Sequence, residues 1–114
     1  MFQNLISLLT VAVLATMANA EGCYNGGNTN ASPCYYQFSE DFCSDVVYGT
    51  RSECHVLDSK TRCDFSVTGP SGNPAYSDCV YAMAQLNYFC SETGGLKTVN
   101  GYQYKLDPND GGSC

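Results

Sequence analysis

Tryptophan is absent, histidine occurs once, and charge is sparse: five Lys/Arg against eleven Asp/Glu in 114 residues, a net charge of −6. No basic cluster exists. That removes the electrostatic footing for nucleic-acid backbones and argues against membrane lysis, since anionic lipid attracts cations. The lone histidine, His55, has no orienting motif beside it, so a nucleophile–base pair with a serine is disfavoured and no catalytic residue is assigned. No C-x-x-C pair occurs, which argues against zinc and leaves no metal or cofactor to expect. The longest apolar stretch, Leu5 to Ala15, falls short of the roughly 20 residues that a membrane span needs.

That stretch precedes Ala18-Asn19-Ala20, a small-x-small cleavage signal, so residues 1–20 read as a secretory leader. All eight cysteines follow it: Cys23, Cys34, Cys43, Cys54, Cys63, Cys79, Cys90 and Cys114. An even set downstream of a leader predicts an extracellular protein, with later uptake into a host as one further route, whose cysteines all pair as disulfides. Residues 21–33 read as an irregular Gly/Asn-rich arm and 34–114 as one disulfide-rich domain. Asn30-Ala31-Ser32 is an N-glycosylation sequon, followed at once by Pro33, which hinders its modification.

Cys34–Phe38 is short and aromatic and predicts a strand. Ser39 then caps a helix through Tyr48, with Glu40 and Asp41 in its first turn and Phe42, Val46 and Val47 on its buried side. Glu53–Leu57 and Arg62–Val67 flank a polar turn and read as a hairpin. Asn73 as N-cap and Pro74 at the first helical position open the main helix, Asn73–Thr93. Its stripe is Ala75, Cys79, Ala82, Met83, Leu86 and Cys90. Cys79 and Cys90, eleven residues apart, lie about 16 Å apart along a helix axis. Bridged Cα atoms lie within about 7 Å, so the two must join different partners. Leu96–Val99 and Tyr102–Leu106 flank Asn100-Gly101, a strong hairpin signal. Asp107, Asn109 and Asp110 lack a calcium-binding pattern and read as a polar turn leading to Cys114.

The order is βαββαβ, with one or two final strands: an α+β fold, a small disulfide-stapled α/β sandwich with two helices on one face of an antiparallel sheet. Nine tyrosines offer rings with polar tips for a core or a binding surface. Tyr102 and Tyr104 alternate onto one face of the last strand and are the candidate binding residues, although that face could equally be the buried one.

With its leader, compact mature part and eight spread cysteines, the chain resembles the small secreted cysteine-rich proteins of filamentous fungi. Its element order is similar to the killer-toxin-like α/β effectors. Asn73-Pro74-Ala75-Tyr76-Ser77-Asp78-Cys79 is similar to the segment before the helix cysteine in necrosis-inducing extracellular effector domains. The resemblance implies a non-enzymatic virulence protein that binds a host or partner-effector protein. A killer-type toxin against competing microbes and a cell-wall carbohydrate-binding module are the alternatives. The acidic charge favours a basic protein partner over a glycan, through electrostatic steering.

Overall fold

The computed structural model describes residues 21–114; the leader assigned to residues 1–20 lies outside them. Five strands and two helices follow in the order β1 (Gly22–Cys23), α1 (Ala31–Val46), β2 (Arg51–Asp58), β3 (Thr61–Thr68), α2 (Tyr76–Phe89), β4 (Gly95–Val99) and β5 (Tyr102–Asp110). The sheet runs β1-β4-β5-β3-β2, and every neighbouring pair is antiparallel. Both helices pack on one of its faces. The fold is therefore the expected α+β sandwich, with two strands at the end.

Three local expectations are corrected. Cys34–Phe38 is not a strand but the second turn of α1, and the sheet's first strand is Gly22–Cys23 instead. Helical spacing explains this: Ala31, Cys34, Phe42 and Val46 are buried on one stripe with Phe38 packed beside them, while Tyr36 points to solvent at 76 % exposure. Tertiary packing of that stripe overrides the β-propensity of the aromatic run. Pro33 sits in the first helical turn, where its missing N–H costs nothing. The arm assigned to 21–33 accordingly contributes β1 and the start of α1. α2 is shorter than Asn73–Thr93: Pro74 is buried ahead of it, Ala75 is the N-cap, and Asn73 makes no cap. Past Phe89, Gly94 turns the chain into β4 with φ +76°, and a Cβ there would overlap the Leu106 carbonyl oxygen. Only glycine fits that approach.

Four disulfides tie these elements together. Cys34–Cys63 joins α1 to the central sheet and Cys43–Cys79 joins the two helices. Cys23–Cys90 pins β1 to the end of α2, and Cys54–Cys114 fastens the C-terminus to β2. Cys79 and Cys90 fall in separate bridges. Between helices and sheet lie Phe42, Val46, Phe65, Val67, Met83, Tyr104 and Leu106, all buried, with Phe42 stacked on Phe65 at 5.4 Å. Each such side chain contributes about 1.5–3 kcal/mol by leaving water.

Candidate functional site

Strand register sorts the sheet residues into two faces, because directly opposed residues point the same way. Cys63, Phe65 and Val67 oppose Pro108, Leu106 and Tyr104; these are the residues under the helices. The intervening set points to the open side: Arg62, Asp64, Ser66 and Thr68 on β3 oppose Asn109, Asp107, Lys105 and Gln103 on β5. Leu96 and Thr98 extend this polar face onto β4, and Cys54 extends it onto β2.

At its centre two carboxylates face each other across adjacent strands, Asp64 and Asp107. Like charges directly opposite in a sheet are destabilising, so something must hold them. Asp64 Oδ2 accepts from Arg62 Nε at 3.0 Å and from Asn109 Nδ2 at 2.6 Å. Arg62 also donates to the Asp110 carbonyl at 3.1 Å. This network fixes three planar polar groups on one patch. Asp107 is half-buried, and its carboxyl is pushed above the ordinary range, chiefly by burial and further by Asp64, against the opposing pull of Asn109, Lys105 and Arg62.

Tyr24 flanks the patch. It follows β1, with its backbone N–H donating to the Gly94 carbonyl at 2.9 Å and its own carbonyl accepting from the Thr93 hydroxyl at 2.6 Å. Burial, and then the Asp107 charge, push its phenol up to about 12. The phenol therefore stays protonated across ordinary pH. On the other flank, Cys54, opposed to Asp64, carries the bridge to Cys114. The patch thus offers hydrogen-bond acceptors, donors and one aromatic ring on a rigid sheet.

The residues singled out from sequence lie elsewhere. Tyr104 is fully buried under the helices and Tyr102 is half-buried against the core, so their shared face is the inner one. Burial, with help from Asp78 and Tyr102, raises the Tyr104 phenol to about 12. His55 also points to the helix side, stacked on Phe38 at 4.8 Å and bonded to Glu53 at 3.0 Å. Glu40 and Asp41 are exposed in mid-α1 rather than in a first turn. Asn30 precedes α1, and the amide nitrogen that would carry a glycan donates to Thr61 Oγ1 at 3.2 Å. Asp107–Asp110 is not a turn but the continuation of β5. Beyond Leu106 that strand has no β4 partner, and proline is tolerated on such an edge. One signal for the patch was present: Arg62-x-Asp64-x-Ser66 and Gln103-x-Lys105-x-Asp107-x-Asn109 alternate with apolar residues.

Among the described residues no three His, Cys, Asp or Glu side chains form a metal-binding group, and no helix is long and apolar enough to cross a membrane. Neither a curated protein nor a solved structure matches the chain. A family model does, glycan binding domain Y3, over residues 33–114. That span takes in α1 from Pro33 onward, α2 and β2 through β5, and with them Arg62, Asp64, Asp107 and Asn109. The chain belongs to the Y3 glycan-binding domain family.

Proposed function

We propose that this protein is an extracellular, non-enzymatic glycan-binding protein that holds its ligand on the open face of the sheet, at Asp64, Asp107, Asn109 and Tyr24. The family match over 33–114, a span that holds Asp64, Asp107 and Asn109 but not Tyr24, carries the glycan-binding reading. It favours the carbohydrate-binding alternative over the host-protein effector and the killer-type toxin, whose support is the layout of leader and cysteines. The geometry supports the location. Adjacent sugar hydroxyls present donor–acceptor pairs, and ionised carboxylates and side-chain amides complement them in fixed orientation. The Tyr24 ring supplies an amphipathic surface for the C–H side of a sugar ring. His55 lies across the sheet from these groups and takes no part.

Retention of the purified protein on a panel of immobilised neutral glycans tests this. The parent is retained and released by competing free sugar, with little dependence on salt. Asp64→Ala lowers affinity by about tenfold to a hundredfold, the value of a charge-assisted hydrogen bond. Salt-sensitive capture of a basic protein, with no glycan retained, would restore the protein-binding reading. Release of reducing sugar from a bound glycan would make the Asp64–Asp107 pair hydrolytic.

A further inference from the structure

Away from the open face, the helix layer carries a cleft of about 100 Å³ between α1 and α2. It is lined by Tyr35, Ser39, Glu40, Cys43, Tyr76, Val80 and Met83, of which Met83 is fully buried and Glu40 exposed. Ligand pockets for whole drug-sized molecules run to about 300–1,000 Å³, so the cleft admits a single compact group. The Cys43–Cys79 bridge joins the two helices at this spot, which fixes the walls in advance of binding. Tyr76 donates to Glu40 at 3.3 Å. That is long for an O–H···O bond, whose usual distance is about 2.7–2.8 Å, so the carboxylate is only weakly engaged. No Lys or Arg lines the cleft.

Two tyrosine rings, a thioether and a loosely held carboxylate around a small preformed space are the elements of an aromatic cage. Aromatic faces attract cations through the ring quadrupole, and the attraction strengthens where the cation is desolvated. An exposed carboxylate in the lining adds a full charge of the right sign, and the chain's net charge of −6 gathers cations rather than anions. We propose that this cleft binds a small quaternary ammonium cation, its methyl groups between Tyr35 and Tyr76 and its charge facing Glu40. The site is separate from the glycan patch, and neither depends on the other.

Titrations followed by amide chemical shifts test it, with tetramethylammonium, choline, phosphocholine and the neutral choline isostere 3,3-dimethylbutan-1-ol as probes. Tetramethylammonium and choline shift resonances of Tyr35, Glu40, Tyr76 and Met83. The neutral isostere binds at least tenfold more weakly, and phosphocholine, whose phosphate meets Glu40, at least fivefold more weakly. Tyr76→Leu reduces choline affinity about tenfold and Glu40→Gln about fivefold, both with an unchanged melting temperature and unchanged glycan retention. Equal binding of the neutral isostere, or shifts confined to other residues, overturns the proposal. So does an unchanged affinity in Tyr76→Leu. Glycan retention lost in a variant that keeps choline binding would concern the open face alone.

Discussion

The two faces of one sheet solve opposite problems. Under the helices, β3 and β5 present Cys63, Phe65, Val67, Tyr104 and Leu106, all buried in one core cluster. On the open side the same strands present Asp64 against Asp107, a pairing that costs stability and is offset by Arg62 and Asn109 bonded to Asp64 and by Asn109, Lys105 and Arg62 acting on Asp107. The inner face is arranged for folding. The outer face carries an unfavourable pair that folding does not require, and such conflicts collect at functional sites.

The two faces differ most in how much their disulfides contribute. Chain entropy alone ranks a bridge by the loop that it closes. The Cys54–Cys114 loop spans 60 residues and the Cys34–Cys63 loop 29, which favours the former by about 0.6 kcal/mol. Burial reverses this, because Cys34 and Cys63 are both fully buried. Replacing them with serine leaves two hydroxyls in the core, at about 1–3 kcal/mol each if unpaired. Cys34→Ser with Cys63→Ser should therefore abolish cooperative folding near body temperature, while Cys54→Ser with Cys114→Ser leaves a lower but sharp melt. Equal melting temperatures would show that the inner face is no more critical than the outer.

A smaller effect sharpens the contrast. The Tyr104 hydroxyl is buried without a hydrogen-bond partner among the described residues. Tyr104→Phe should stabilise by about 1 kcal/mol, raising the melting temperature by about 4–8 °C, and leave glycan retention untouched. A fall in melting temperature would place a partner on that oxygen.

Smaller again is Asp107→Asn, which removes a carboxylate whose ionisation is opposed chiefly by burial and further by Asp64, and which should stabilise by about 0.5 kcal/mol at neutral pH. The sign follows from the raised Asp107 carboxyl. The folded state binds its proton more tightly than the unfolded chain, so ionisation costs stability above the folded value, and the cost disappears as pH falls below the ordinary carboxylate range. The melting advantage of Asp107→Asn should therefore shrink as pH drops toward 4. An advantage that grew on acidification would contradict the assignment of cause.

Much of the inner face was legible in the sequence, because local signals and burial agree there. Asn100-Gly101 announced the last hairpin, and the turn takes the positive φ values, 50° and 86°, that such a pair supplies. The stripe from Cys79 to Cys90 announced α2, and the spacing of those two cysteines separated their bridges. Cys34–Phe38 reads as a strand because Tyr35 and Tyr36 carry strand propensity, while the helical stripe around them becomes evident only with Ala31 included. The glycan patch was half legible. Alternation marked Asp64 and Asp107 as polar-face residues, but they become neighbours only through the pairing of β3 with β5, which joins segments on either side of α2. Nothing local fixes that register. Tyr24 is further still, brought in by β1 and the Cys23–Cys90 bridge. Tyr102 and Tyr104 drew attention by residue type, and their side of the strand is the one that the helices cover.

The most direct test measures affinity for a retained neutral glycan in three variants side by side: Asp107→Asn on the open face, His55→Ala beneath the helices and Tyr76→Leu between them. Asp107→Asn should bind at least tenfold more weakly while melting no lower than the parent, and the other two should bind as the parent does. Full binding by Asp107→Asn, with the loss appearing in His55→Ala or Tyr76→Leu, would contradict this and move the glycan site to the helix side of the sheet.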